Sequence, residues 1–570
     1  MDAITKNLLN DFISNQELEN ITNESIQFEY FCNYSIVTRE YSETFDIESV
    51  STGSSTGIDG LAILVNGRLV ESKEEIDDLL SSNKYLEATF IFVQAKTSSS
   101  FNSGEMNTFF FAVQDFFNSQ PTLPQNECMS ARTEIKNYLY SKSASMTKGL
   151  PQCKLYYVTT GNWNDDQTLL AVCGAGKTSL EGMNIFESVT LNQLGAPEIQ
   201  KYYHKTKEVI SRDITFSNKV VMPEIFGVNE AYIGTINFIE FKKLIIDDED
   251  KILPSIFYEN VRAFQGENPV NLKIKNNLDS GEFDKFVVLN NGVTVVARNI
   301  VAAGNKFTIN DYQIVNGCQT SHVLFGLRDK AGMDNVNIPI KLIVSSNEEL
   351  INQIITATNS QTAVKPEELE ALSEFQKKLE HYYDTTKDVG KLYYERRSKQ
   401  YNTNPTVTKT RIINIPIQIK CFAAMFLREP HKVSRYYGAI IKDLGGKIFA
   451  PDHNPIAYYL CAYAYFRFDQ IIRSGNIDKK YKKCKFHILM MLPFLASEDK
   501  VPSLNSSSIE KYCVAILNDL TDSDKSLNLF KRATDLLDSM EINLDDRDEF
   551  KKQTITELIL RQFILEASKE

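Results

Sequence analysis

Two short apolar runs with polar ends constrain this chain more than any other feature. Gly57-Ile58-Asp59-Gly60 opens the run Leu61 to Val65, and about 35 residues later the run Thr89 to Val93 ends in Gln94-Ala95-Lys96. Both read as strands. Alternate residues of a strand share a face, so Gln94 and Lys96 point together. A carboxylate, an amide oxygen and an ammonium converging on one place suit metal-assisted phosphodiester hydrolysis. Asp59 and the Gln94 oxygen are candidate ligands for Mg²⁺ (or Mn²⁺), a hard ion that prefers oxygen and retains several waters. Lys96 is placed to lower the pKa of an attacking water or to stabilise charge on the phosphate.

The flanking pattern is consistent with this. Residues 17–38 read as a helix whose stripe is Phe28, Phe31, Cys32, Ile36 and Val37, with Glu29 inside it. After Lys96 come a Ser-rich turn, a Phe-dense helix over Met106 to Phe117 and a strand over Lys154 to Thr159. The triplet and this element order resemble the PD-(D/E)xK nuclease superfamily, in the Mrr-like variant where glutamine replaces the acid. That resemblance implies a restriction-endonuclease-like α/β core, with Asp59, Gln94, Lys96 and Glu29 as catalytic residues. Asp59, Gln94 and Glu29 would hold the metal.

At 570 residues the chain exceeds what one core supports, so several domains are expected. A net charge of −12 and a pI near 5.3 give no global attraction to nucleic acid, so binding must use local patches. The nine cysteines form no C-x-x-C pair and the six histidines are dispersed, which argues against zinc and a disulfide framework. The N-terminus is polar and no uncharged 18-residue apolar run occurs, so a reduced, cytoplasmic protein with no membrane contact is expected. Cys173-Gly174-Ala175-Gly176-Lys177-Thr178 ends like a phosphate-binding loop, but Ala171 stands where a glycine is required. A surface hairpin turn leading to a strand over Asn184 to Leu191 is the expectation there.

The middle of the chain carries a longer set of motifs. These are Ile256 to Arg262, Val288-Leu289-Asn290-Asn291-Gly292 to Ala297, Gln313-Ile314-Val315-Asn316-Gly317-Cys318-Gln319-Thr320, Ala357 to Pro366 and Tyr394-Glu395-Arg396-Arg397. In this order they resemble the AIPR (abortive infection phage resistance) family of bacteria, over about residues 220–440. An N-terminal nuclease-like domain before such a region is a recurrent arrangement in those proteins. The strand–turn–helix order around Asn316-Gly317 also resembles a ParB and sulfiredoxin-like fold, where helix N-termini meet phosphates. Asn316, Gly317, Gln319, Thr320 and Asn359 are therefore candidate nucleotide contacts, although polar turn residues also serve capping.

Arg396, Arg397, Lys399, Lys409 and Arg411 are interleaved with Tyr393, Tyr394 and Tyr401. The segment reads either as a nucleic-acid contact, with bases stacked on tyrosine, or as a salt-bridged domain surface. A second run, Lys479 to Lys485, reads as a solvated loop. From Pro416 onward the pattern is helical: Ile417 to Leu427, Ile456 to Ile472 and segments ending with Lys551 to Ala567.

The expected architecture is multi-domain, α/β and α+β. A nuclease-like domain spans 1–205, a mixed α/β AIPR region 220–440, and a helical part 441–570. The expected function is a Mg²⁺-dependent endonuclease acting on DNA, or RNA as the other substrate, in anti-phage defence. The chain would be triggered by a phage product or an accessory defence protein, with homo-oligomer formation open. The alternative is a non-catalytic nucleic-acid- or nucleotide-binding regulator with a degenerate nuclease fold.

Overall fold

In the computed structural model the chain forms two compact units, one of Met1–Thr206 with Ser373–Glu570 and one of Lys207–Leu372. The structure describes residues 1–566 except positions 42, 54, 209, 248–249, 251, 258–268, 360–373, 387–390, 397–399, 402–403, 405, 498–499, 541, 545 and 547.

The N-terminal module begins with helices α1 (Ala3–Asn15) and α2 (Glu24–Glu40). The segment expected as a helix over 17–38 is shifted because Asn23 caps α2, its side chain accepting from Ser25 N–H. There follow β1 (Gly60–Val65), β2 (Arg68–Leu69), α3 (Lys73–Asn83), β3 (Ala88–Lys96), α4 (Ser103–Phe117), α5 (Glu127–Ser141), β4 (Gln152–Thr159), α6 (Gln167–Glu181), β5 (Ser188–Leu194) and α7 (Ala196–Lys205). The sheet order is β2-β1-β3-β4-β5. β1 runs antiparallel to β3, and β3, β4 and β5 are mutually parallel.

The strands read as continuous apolar runs because both faces are covered. Leu61, Ile63, Phe90 and Phe92 enter a core with residues of α3–α6, whereas Ala62, Leu64, Ile91 and Val93 enter one with residues of α1, α2 and α7. The hairpin turn expected at Cys173–Thr178 is instead the interior of α6. A Cβ on Gly176 would lie 2.4 Å from the Phe110 ring, so this glycine lets α6 pack against α4.

The second unit is a six-stranded sheet with order β6-β10-β9-β11-β8-β7, formed by Ser211–Thr215, Asn218–Val221, Glu230–Asn237, Val293–Ala303, Lys306–Asn316 and Asn337–Val344 as β6 to β11. β9 and β11 are parallel and the other pairs antiparallel. Helices α8 (Phe238–Ile245), α9 (Pro269–Asp279), α10 (Phe286–Leu289) and α11 (Cys318–Gly326) supply the larger core, and α12 (Glu348–Asn359) places Ile351 and Ile355 in a smaller one.

After residue 373 the chain is helical: α13 (Glu374–Thr385), α14 (Ile415–Met425), α15 (Tyr437–Leu444), α16 (Pro455–Arg473), α17 (Lys485–Ala496), α18 (Ser508–Thr521), α19 (Ser523–Asp538) and α20 (Gln553–Glu566). A short parallel pair, β12 (Tyr393–Glu395) and β13 (Ile412–Asn414), interrupts it. Among the described residues no helix is long and apolar enough to cross a membrane.

Candidate active site

β1 and β3 put Asp59 and Gln94 side by side. Gly60 pairs with Val93, so the residue before β1 falls beside the residue after Val93. Asp59 N–H donates to the Val93 carbonyl at 2.9 Å. Its Oδ2 accepts from Gln94 Nε2 at 2.5 Å and from Ala95 N–H at 2.8 Å. Among the described residues no donor reaches Oδ1. Asn33, one turn after Glu29 on α2, donates Nδ2 to the Asp59 carbonyl at 3.1 Å. A Cβ on Gly60 would sit 2.0 Å from Asn33 Oδ1, so the glycine of the Asp-Gly pair is what admits this contact.

The electrostatics tie Glu29, Asp59 and Lys96 to one another. Burial pushes the Asp59 carboxyl up to about 6, against the opposing pull of the Ala95 N–H, the Lys96 ammonium and the Gln94 amide. Burial, reinforced by the Asp59 charge and opposed by Lys96, raises Glu29 to about 7. Glu105, from the first turn of α4, adds repulsion at Asp59 and accepts from the buried Tyr157 hydroxyl at 3.1 Å. Perturbed acids of this kind concentrate at functional sites. The structure thus brings Asp59, Gln94, Lys96 and Glu29 together and adds Asn33, Glu105 and Tyr157. Glu29 and Asn33 share a helix face at a four-residue spacing, which was the available sequence signal for Asn33. Glu105 had none.

The donor set fits a hard divalent cation. Burial raises both carboxyls, which a bound cation would oppose, and Gln94 Oε1 is buried without a hydrogen-bond partner. Among the described residues no three His, Cys, Asp or Glu side chains cluster as a metal cage, and Gln94 Oε1 is the further oxygen beside Asp59.

The other candidates are dispersed. Arg396 is a correction: it is 3% exposed, and its Nε pairs with Glu380 at 2.9 Å, so a buried ion pair rather than a phosphate contact accounts for it. Lys409 donates to the Tyr401 carbonyl, and Arg411 pairs with Glu17 at 3.1 Å. Arg397 and Lys399 lie outside the described residues. The Lys479–Lys485 run is not a solvated loop. Lys479–Cys484 is a short 3₁₀ helix, Lys482 and Lys483 pair with Glu48 and Glu127, and Lys485 contacts Asp469 at 3.0 Å.

In the second unit Asn316 ends β10. Gly317 adopts φ +101° as the cap of α11, with Gln319 and Thr320 in its first turn. A Cβ on Gly317 would meet Val293 at 2.7 Å, so packing as well as the positive φ requires glycine. Asn359 closes α12, and its side chain lies outside the described residues.

A family model described as AIPR protein matches residues 257–561. No match was found among curated proteins or among solved structures.

Proposed function

The chain belongs to the AIPR family, and from that premise we propose a bacterial abortive-infection effector whose N-terminal module hydrolyses phosphodiester bonds in DNA with a divalent cation. Family membership points to anti-phage defence; the chemistry rests on the site. The observation that carries it is the buried Asp59 carboxylate, coupled to Glu29 and Lys96 and seated beside the unpartnered Gln94 oxygen. Magnesium held by Asp59, Glu29 and Gln94 Oε1 would supply Lewis-acid polarisation of a phosphoryl oxygen. Lys96 then stabilises charge developing on the phosphate, and Asn33 fixes the Asp59 backbone. Incubating supercoiled plasmid with the full chain, with Mg²⁺ or Mn²⁺ and with EDTA, tests the reading. Cation-dependent nicking abolished by EDTA is expected, and intact plasmid in every arm counts against it.

A second reading, a non-catalytic binding protein on the same fold, is favoured by one contact. Gln94 Nε2 donates to the same Asp59 oxygen that a cation would need. Gln94→Glu separates the two: activity equal to or above that of the parent supports hydrolysis, and a folded, inert variant supports binding alone.

A further inference from the structure

Residues 1–206 and 373–570 pack as one unit, yet their apolar cores are separate. Among the described residues, every buried member of the two cores of the N-terminal module lies between residues 9 and 203, and of the C-terminal part only Tyr436 packs against them. Leu18 and Ile47 share a cavity lining with Ile412 and Phe466, and charge crosses the seam beside them. Glu17 pairs with Arg411 at 3.1 Å, Glu75 with Lys420 at 3.3 Å and Asp78 with Arg435 at 3.0 Å. Glu127 pairs with Lys483 at 2.7 Å, Glu74 with Lys551 at 2.9 Å, and Glu48 with Lys482. In all six the carboxylate comes from the N-terminal module and the cation from the C-terminal part.

The one-sidedness follows from composition. Residues 1–206 contain 26 acidic and 14 basic side chains, whereas residues 373–570, which supply all six cations, contain 26 acidic and 32 basic, the excess of bases lying before residue 491. The six cations are 18–31% exposed and four of their carboxylates 12–23%, so those four pairs are screened less than free surface charges, whereas Glu74 and Glu127, at 37% and 70%, face solvent.

We propose that this seam is a charge latch: the basic side of the 411–551 segment is a docking surface for a nucleic-acid backbone, and the acidic face of the N-terminal module covers it until nucleic acid displaces it. A chain of net charge −12 repels a polyanion, and its densest positive stretch is neutralised by its own carboxylates. DNA presents one charge per roughly 1.7 Å and gains counterion release on meeting such a surface, so it competes on the same terms as the carboxylates. The inference rests on nucleic acid being the substrate class, but not on cleavage.

The test uses the full chain in EDTA with a fluorescein-labelled, random-sequence DNA duplex at several salt concentrations. The triple variant Glu48→Gln, Glu75→Gln, Asp78→Asn removes latch carboxylates without adding positive charge. It should bind about tenfold or more tightly at low salt, with a steeper salt dependence. Adding Lys420→Gln, Arg435→Gln and Lys482→Gln should return affinity to the parent level. A triple variant that binds no better than the parent, or a sextuple variant equal to the triple, overturns the latch. On the unmodified chain, saturating duplex should speed hydrogen exchange across α3, which carries Glu74, Glu75 and Asp78; unchanged exchange with DNA bound overturns it too. Unlatching without cleavage in Mg²⁺ would leave the latch standing and remove the nuclease reading.

Discussion

At the scale of single residues, the polar ends of β1 and β3 carry the proposed chemistry. Asp59→Ala and Lys96→Ala should each lower plasmid cleavage by about 10² or more, since one removes a ligand and the other a charge stabiliser. Far-ultraviolet circular dichroism should be unchanged, and folded variants with parental cleavage would dismiss the assignment. Gly60→Ala probes the same corner through packing. Its Cβ would collide with Asn33 Oδ1, so a loss of about 1–3 kcal/mol is expected from the urea midpoint. Asn33→Ala in the same chain should recover part of that loss. Asp59, Gln94 and Lys96 were legible because polar groups ending apolar strands stand out in a sequence. Asn33 was legible only in its four-residue spacing from Glu29, because nothing in the sequence marks the Asp59 carbonyl as its partner. Arg396 misled for the converse reason: a basic residue reads as available charge, and nothing local reveals Glu380 sixteen positions earlier.

At the scale of elements, strands were read more surely than the α6 turn. Strand periodicity is local, whereas the glycines of α6 make sense only against Phe110 of α4. Helix α17 offers a pH test. Its His487 is buried, and burial, with His431 beside it, pushes the imidazole down to about 3. Both rings meet Thr556 Oγ1, at 3.2 and 3.1 Å, and Glu429 and Lys432 face His431. A depressed histidine means the unfolded chain binds more protons below its ordinary value of 6.5. Its contribution is therefore complete above about 6.5 and is lost as pH falls toward 3. At pH 5 the loss is about 2 kcal/mol. Urea midpoints at pH 7 and pH 5 should show His487→Gln less acid-sensitive than the parent by about that amount. Equal sensitivity would place the proton uptake elsewhere.

At the scale of the whole molecule, the expected spans 1–205 and 220–440 put a break close to where the first unit is interrupted at Thr206, but gave no sign of its resumption at Ser373. A polar linker is a local signal; the return of a chain to an earlier unit depends on pairings between residues hundreds of positions apart. The net charge of −12 likewise concealed an uneven distribution, with 26 acidic and 14 basic side chains in residues 1–206 and 26 acidic and 32 basic in residues 373–570. Salt offers the global test. Screening the six pairs should resolve the thermal unfolding of the full chain into separate transitions as NaCl rises from about 0.05 to 0.5 M. A double-mutant cycle on Asp78→Asn and Arg435→Gln should give a coupling of about 1 kcal/mol at the lower salt. A salt-independent single transition with no coupling would show that the seam holds by other means. The discontinuity of this unit also has a timetable. Lys551, the last cation of the seam, follows Thr206 by 345 residues. At a ribosomal pace of about 5–20 residues per second, that is roughly 20–70 s. Throughout that interval the N-terminal module is out in the cell, tethered to the ribosome and still lacking part of its counterpart, so the order of segments in the gene puts the cover in place before the surface it covers.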